Sequence, residues 1–320
     1  MSTSTQPKTP KTPNTPSTAQ PNAEDAAFAH LSQEEQDALR ASVFQRLHPR
    51  LYLERYIEED VRPDGRAFGE WRGVFCNVGS ISTAEGSALV RMGDTTVVCG
   101  VKAEIAEPEL DKEGEGFLVP NLDLPAMCSP KFKPGPPTEE AQVLSERLNQ
   151  ALVTSNFLPL STLCIHPGKA AWVIYVDATC INYDGNAFDA TLLAMVAALR
   201  NTKLPQATYN PETHRTTCSR LAPRVPLQLA KSAPVAMSFG IFDGKHVLAD
   251  PTSFEEPLLE ASISVVLGDG GELVSVEQLG SALITTAGEE EAKDEKRDVL
   301  EECIQNASRR REAVMKEVFG

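Results

Sequence analysis

The chain has 320 residues, 41% of them hydrophobic, which is enough to bury one large core or two modest ones. Its 45 acidic residues outnumber its 30 basic ones, and the formal net charge of −15 disfavours broad nucleic-acid binding by the chain alone. Any contact with nucleic acid must therefore be made by a local basic patch or be shared with a partner. The seven scattered cysteines form no Cys-x-x-Cys pair, which indicates reduced thiols rather than disulfides or zinc, and no apolar run approaches the length of a membrane span.

The N-terminal region divides into a polar tail and short helices. Residues 1–27 are rich in Thr, Pro and Ser and cannot bury enough apolar surface to order themselves, so we expect a disordered tail. Its Thr-Pro pairs leave phosphorylation open, although an unmodified tail is favoured. The start of the chain lacks the features of a signal peptide, so we expect the protein to stay inside the cell. Ser32-Gln33-Glu34-Glu35 is a capping box, and we place N-terminal helices in residues 28–60.

A first lobe is predicted over residues 61–204. It begins with Arg62-Pro63-Asp64-Gly65-Arg66, which its proline and glycine identify as a turn and which by itself is only a turn. Apolar alternation then predicts strands, the last two of which form a hairpin through Gly93-Asp94. These strands cover residues 73–78, 88–92 and 96–104.

A proline-rich loop at residues 127–137 contains the sequence Lys131-Phe132-Lys133. Such a loop can grip a phosphate backbone with its lysines and stack a base on its ring, but an ordinary exposed loop explains it equally well. Thr138 is predicted to cap the next helix, and Arg147 lies off the apolar stripe of that helix. Arg147 then extends the basic patch, or it is solvated or paired within its helix. Lys131, Lys133 and Arg147 are therefore the candidate nucleic-acid-binding residues.

The centre of the lobe is a buried strand that runs through a turn into an apolar helix. Residues 172–181 are a nearly continuous β-branched and aromatic run, which is typical of a strand covered on both faces. Residues 182–186 supply turn chemistry, and residues 187–199 are apolar on nearly every side, which predicts an enclosed helix. Turns of this type bind anions, because free backbone N–H groups and the helix dipole point toward them.

The remainder of the chain is predicted to be a connector and a second lobe. Four prolines punctuate the connector at residues 205–232. The second lobe, at residues 233–320, is largely β and ends in a helix whose acidic start and basic end suit its dipole. Its expected elements are strands at 235–242 and 246–249, strands at 263–267 and 272–276, and a helix at 289–319.

Taken together, several of these segments resemble the RNase PH family. The ordered set is specific, although each piece alone would be weak, and it consists of Arg62-Pro63-Asp64-Gly65-Arg66, Gly79-Ser80-Ile81-Ser82-Thr83-Ala84-Glu85-Gly86-Ser87-Ala88, Gly93-Asp94-Thr95-Thr96-Val97, Phe132-Lys133-Pro134-Gly135-Pro136-Pro137 and Tyr183-Asp184-Gly185-Asn186-Ala187-Phe188-Asp189-Ala190. The resemblance covers about residues 50–319. It implies an α+β fold of two related lobes, with mixed sheets packed against helices, that assembles into a six-membered ring beneath RNA-binding cap subunits. Active members degrade RNA from its 3′ end with inorganic phosphate as the nucleophile.

Two departures from the active members argue against activity. Where those members have a Gly-Thr-Arg type turn whose arginine holds phosphate, this chain has Gly185 followed by Asn186, Ala187 and Phe188, with no cation nearby in the sequence. Two aspartates of the second lobe are matched here by Glu256 and Ser262. The remaining Asp184 and Asp189 are expected to cap the helix.

The resemblance therefore implies a non-catalytic structural subunit of the RNA exosome ring, with no catalytic residue, metal or cofactor. Its expected partners are other RNase PH-like ring subunits, RNA-binding cap subunits, associated exosome ribonucleases and RNA, with no membrane. The implied location is the nucleus and nucleolus, and also the cytoplasm. An active phosphorolytic 3′–5′ exoribonuclease and a free-standing RNA-binding regulator are the alternatives.

Overall fold

The computed structural model describes residues 32–219, 222–230, 233–280 and 299–319. The predicted disordered tail at 1–27 and the predicted helical residues 28–31 and 289–298 lie outside the described residues. The chain divides after Glu54 into two compact units.

Two helices lie where the N-terminal pattern predicts them. Helix α1 spans Gln33–Leu47, and helix α2 spans Pro49–Glu58. The predicted capping box is present, because the Glu35 N–H donates to Ser32 Oγ at 3.3 Å and the Ser32 N–H donates to Glu35 Oε2 at 2.8 Å. The proline at the start of α2 fits there because the first turn of a helix needs no N–H donor.

Within the described residues, the first lobe forms one six-stranded sheet in the order β1-β2-β3-β6-β4, with β5 paired to β6. Its strands are β1 (Val74–Val78), β2 (Gly86–Met92), β3 (Thr95–Ala106), β4 (Phe117–Asp123), β5 (Cys164–His166) and β6 (Ala170–Asn182). The predicted hairpin between β2 and β3 is confirmed. Strand β4, which runs parallel to β6, was not predicted, because Pro120 interrupts its apolar pattern. Proline is tolerated here because β4 lies at the end of the sheet order.

The two long helices of the lobe are α3 (Glu139–Thr154) and α4 (Ala187–Asn201). Thr138 caps α3 as predicted, since its hydroxyl oxygen accepts a hydrogen bond from the Ala141 N–H at 3.3 Å. Residues 187–199 of α4 are all buried, as the apolar pattern predicts. Helix α4 packs against β2 and β3 on one side and against β11 (Val235–Phe242) of the second lobe on the other. This helix therefore belongs to the cores of both lobes.

The predicted connector contains short strands. Strand β8 (Ala207–Asn210) pairs with β9 (Arg215–Cys218), and β10 (Val225–Pro226) pairs with β7 (Lys203–Leu204). The described part of the second lobe is a four-stranded antiparallel sheet in the order β12-β11-β13-β14. Its other strands and its helix are β12 (His246–Ala249), β13 (Ala261–Leu267), β14 (Leu273–Gly280) and α5 (Val299–Phe319).

Helix α5 packs against both sheets, since it contacts β11 and β13 as well as β1. Residues 55–320 form a single compact unit, so the two lobes share their packing. The predicted boundaries at residues 61, 204 and 232 stay predictions.

Candidate functional site

The strand-to-helix turn between β6 and α4 packs directly against a loop of the second lobe. Gly185 has a φ of +77°, and a Cβ atom there would lie 2.5 Å from the carbonyl carbon of Thr252 and 2.6 Å from the Ser253 nitrogen. Asn186 follows with a φ of +51°. The turn therefore requires glycine at position 185, both for its conformation and for the space that the loop at 250–256 occupies.

That loop is held by the first arginine of the Arg-Pro-Asp-Gly-Arg turn. The Arg62 guanidinium is completely buried and pairs with the Glu255 carboxylate through Nε to Oε1 at 2.9 Å and Nη2 to Oε2 at 2.5 Å. It also donates to the Ala249 carbonyl at 2.6 Å and to the Asp250 carbonyl at 3.1 Å. The motif is therefore more than a turn in the folded protein, because its first arginine anchors the second lobe.

A second buried arginine joins the same loop to the turn. Arg72 donates from Nε and Nη2 to the two carboxylate oxygens of Asp250, each at 2.7 Å. It also donates to the Asp184 carbonyl at 2.7 Å and to the Gly185 carbonyl at 3.3 Å. Burial alone would raise the pKa of Asp250, but the hydrogen bonds and charge of Arg72 outweigh it and hold that pKa below its ordinary value.

The two aspartates near the turn do not cap α4, so that prediction is wrong. The N-cap residue is Asn186, whose side chain makes no capping bond. Asp189 accepts from the Ser238 N–H and hydroxyl, each at 2.7 Å, and Asp184 accepts from the Ser253 hydroxyl at 2.7 Å. Both carboxylates therefore bind the second lobe. Burial raises the pKa of Asp189 to about 6, although its hydrogen bonds from Asn186 and Ser238 act in the opposite direction.

Glu256 occupies the position at which a helix N-terminus would bind an anion. Its Oε1 accepts from the Asn186 N–H at 2.7 Å, and its Oε2 accepts from the Tyr183 hydroxyl at 2.5 Å. Burial raises the pKa of Glu256, while the bonds from Tyr183 and Asn186 oppose that change. A carboxylate of the chain itself therefore fills the anion-binding end of α4.

A cavity of about 1020 Å³ opens beside this turn. All five positions that the sequence matched to the active site of relatives line it, together with two of the three candidate basic residues, Lys131 and Arg147. The five matched positions are Asn186, Ala187, Phe188, Glu256 and Ser262. The cavity thus brings together residues that are far apart in the sequence.

Arg147 corrects the expectation that no cation lies near Phe188. Its guanidinium carbon is 4.3 Å from the centroid of the Phe188 ring, which is the geometry of a cation–π contact. Its Nε also pairs with the Glu277 carboxylate on β14, so its partner is not within its own helix. Only 13% of the side chain is exposed. The arginine is therefore present but already engaged by a ring and a carboxylate.

The basic loop is less available than its sequence suggests. Phe132 is only 5% exposed and packs edge-on against Tyr183, with ring centroids 5.3 Å apart. Of the two alternatives left open for this loop, the burial of the ring therefore argues against base stacking on Phe132. Lys131 Nζ pairs with Glu140 Oε2 at 2.8 Å and lies 5.3 Å from the centroid of the Tyr183 ring. Lys133 is exposed, does not line the cavity, and has no ion pair to any residue that the structure describes. Its role in binding RNA stays a prediction.

The charge of the cavity is unfavourable for phosphate. Four glutamates and two cations are among its described lining residues. The glutamates are Glu139, Glu140, Glu256 and Glu260, and the cations are Lys131 and Arg147. Within the described ranges, no group of three His, Cys, Asp or Glu side chains is arranged to hold a metal ion. None of the described helices has both the length and the apolar character to cross a membrane.

The arginines that build the site have no local sequence signal for their roles. Arg62 and Glu255 are 193 positions apart, and Arg72 and Asp250 are 178 positions apart. The Arg-Pro-Asp-Gly-Arg turn is visible in the sequence, but nothing near it identifies the carboxylate that its arginine binds. Arg72 belongs to no motif that sequence reasoning selected.

Comparison with known proteins gives the class to which this fold and site belong. The profile described as "3' exoribonuclease family, domain 1" matches residues 70–205, and that described as "3' exoribonuclease family, domain 2" matches residues 232–310. The chain therefore belongs to the 3′ exoribonuclease family. The predicted α+β RNase PH-like fold of two lobes is confirmed.

Among similar proteins is the "Exosome complex component rrp43" of Schizosaccharomyces pombe, which is 44% identical over 243 residues, or 76% of this chain and 89% of that protein. The "Exosome complex component Rrp42" of Thermococcus gammatolerans is 34% identical over 259 residues, or 79% of this chain and 93% of that protein. A chain of the solved "archaeoglobus fulgidus exosome with RNA bound to the active site" matches with a TM-score of 0.69 and 32% identity over 82% of this chain and 96% of that one. The resemblance of the sequence to RNase PH-like subunits of the RNA exosome is therefore confirmed, and the similarity to rrp43 narrows it to subunits of that type.

Proposed function

We propose that the chain is a non-catalytic structural subunit of an RNA exosome ring, supporting 3′–5′ RNA processing and degradation, including rRNA maturation and RNA turnover. The observation that carries the non-catalytic assignment is the Glu256 carboxylate, which accepts the Asn186 N–H at 2.7 Å at the start of α4. The names of the relatives, which are exosome components, support the assignment to a ring.

Phosphorolysis requires a cation beside the attacking phosphate, because the transition state carries concentrated negative charge. At this turn the cation that comes closest to this requirement is Arg147. It lies over the apolar ring of Phe188 and already pairs with the Glu277 carboxylate. An incoming phosphate would meet the buried Glu256 carboxylate at the helix end and would have to displace it. A phosphate and a carboxylate in contact within a partly buried site repel each other strongly, because both are negatively charged.

The same proposal assigns the chain its partners and location. It packs beside other RNase PH-like ring subunits and RNA-binding cap subunits, and associated exosome ribonucleases act on RNA that passes the ring. Lys131, Lys133 and Arg147 are the proposed RNA contacts, and Lys133 is the most accessible because the other two are paired with glutamates. The proposed location is the nucleus and nucleolus, with a further pool in the cytoplasm, which imaging of the tagged chain tests.

A phosphorolysis assay tests the non-catalytic assignment. The isolated chain and the assembled complex are incubated with 3′-labelled RNA and inorganic phosphate, and released nucleoside diphosphate is measured. We expect no phosphate-dependent release from the isolated chain, and no change in any release by the complex when Glu256→Gln or Asp184→Asn is introduced. Phosphate-dependent release that either substitution abolishes would instead identify an active phosphorolytic exoribonuclease, with Arg147 as its cation.

A further inference from the structure

A buried arginine in the C-terminal helix is short of partners. Arg311 on α5 is 6% exposed, yet within the described part of the chain it makes a single side-chain hydrogen bond, from Nη2 to Asp269 Oδ1 at 3.2 Å. Its Nε is buried and has no partner among the residues that the structure describes. A guanidinium carries five N–H donors, and a buried charge is stable only when these are engaged. The buried Arg62, by contrast, makes four hydrogen bonds.

A second arginine packs against the same helix as Arg311. Arg200, in the last turn of α4, places its guanidinium carbon 4.2 Å from the centroid of the Phe319 ring and has no ion pair within the described ranges. Burial lowers the pKa of Arg200, the charge of Asp269 opposes this change, and the charge of Arg311 adds to it. We call Arg200, Asp269 and Arg311 the arginine cluster. It contains two positive charges and one negative charge.

The surroundings of the arginine cluster favour a small, singly charged anion. Asp269 lies in a tight turn with Gly270 and Gly271, both at positive φ, and its side chain is 60% exposed. Its carboxylate would repel a phosphate dianion more strongly than it would a monoanion. RNA binding needs several cations along a backbone, whereas this chain has a net charge of −15 and the cluster has one charge in excess. A carboxylate matches both the excess charge and the planar donors of a guanidinium.

We propose that the arginine cluster binds a carboxylate from an acidic segment of a partner protein. The carboxylate accepts hydrogen bonds from the terminal Nη groups of Arg311, because the buried Nε is out of its reach, and Arg200 adds a second positive charge. The cluster lies at the end of α4 opposite the candidate site, about 20 Å away along a helix of 15 residues, so it is a separate interaction surface. The inference rests on the proposed function only in that the assembled complex is the source of the partner.

Replacement of Arg311 separates a binding role from a folding role. Arg311→Met keeps the length of the side chain and removes the charge. We expect the isolated chain to unfold at the same or a higher urea concentration, because an underpaired buried charge is lost. We expect the assembled complex to bind the partner at least about tenfold more weakly when it is diluted. Arg309→Met, at an exposed position of the same helix, is the matched control and should change neither property. Loss of stability in the isolated chain with unchanged partner retention would overturn the proposal.

Chemical coupling identifies the carboxylate. In the purified complex that contains Arg311→Lys, a carbodiimide joins the introduced amine to an adjacent carboxylate as an amide, with loss of water, and mass spectrometry locates the link. We expect a link from position 311 to an Asp or Glu of another protein. A link only to Asp269 or to acidic residues 289–298 of this chain would overturn the proposal, as would no link at 311 while the exposed Lys316 is coupled. Failure to recover any complex would count against the proposed function instead.

Discussion

Replacing Arg62 with methionine removes the central contact between the first turn of the lobe and the loop that positions Glu256. The variant leaves Glu255, whose side chain is 1% exposed, without its countercharge, and it also removes the donors to the Ala249 and Asp250 carbonyls. Among the described residues, the Glu255 carboxylate then keeps only its bonds from the Thr252 N–H and hydroxyl, at 2.8 and 3.0 Å. Breaking a buried ion pair in this way costs about 3–5 kcal/mol of unfolding free energy.

Urea unfolding of the purified chain measures that cost from the shift in midpoint at constant slope. Arg91→Met is the matched control, because its ion pair with Asp94 has side chains 59% and 71% exposed and should contribute less than about 1 kcal/mol. The double variant Arg62→Met with Glu255→Leu should recover part of the loss, because it also removes the unpaired carboxylate. A cost for Arg62→Met no greater than that of Arg91→Met, or a double variant as unstable as the single one, would refute the reasoning.

Three further predictions concern the turn, a buried carboxyl and the basic loop. Gly185→Ala should lower the unfolding free energy by more than 2 kcal/mol, on the order of the cost of a strained backbone plus a clash, whereas Gly69→Ala, where a Cβ meets nothing within 4 Å, should change it little in the same urea assay. NMR titration should give the Asp189 carboxyl a midpoint near pH 6. Because its pKa is raised from 3.8, the protonated carboxyl contributes ~3 kcal/mol to stability below pH 3.8, and this contribution is lost as the pH rises through about 6. A midpoint at or below 3.8 would contradict this prediction. Lys133→Glu should weaken RNA binding by the assembled complex and reduce the slope of log affinity against log salt concentration by about one. Lys245→Glu, which replaces an exposed lysine in the turn between β11 and β12, should change neither quantity. Equal effects of the two substitutions would show that Lys133 does not contact RNA.

The elements that the sequence predicts well are those whose signal is local. Residues 172–181 and 187–199 show the patterns of a covered strand and an enclosed helix, and β6 and α4 lie there. The hairpin through Gly93-Asp94 is equally local, because its turn chemistry and its flanking alternation lie in one stretch. Strand β4 was missed because Pro120 breaks the pattern that identifies a strand.

The candidate site depends mainly on contacts that no local pattern encodes. The resemblance to the family selected Phe188 and Glu256, which line one cavity, but not the arginines that fix the loop around them. Arg147 reaches Phe188 only because α3 and α4 pack together. Sequence spacing alone therefore could not show that a cation lies beside the Phe188 ring. Phe132 looks accessible in a proline-rich loop, yet Tyr183 from the end of β6 covers it. Burial of single side chains in loops is set by tertiary packing rather than by composition.

Native mass spectrometry of the tagged chain, purified gently from its own cells, tests the central claim most directly. The account predicts that the chain is recovered in a stoichiometric mixed ring with several different RNase PH-like and cap subunits. Recovery as a homo-oligomer would contradict the assignment to a structural subunit. Recovery as a free chain bound to RNA would contradict it too, and would identify an RNA-binding regulator.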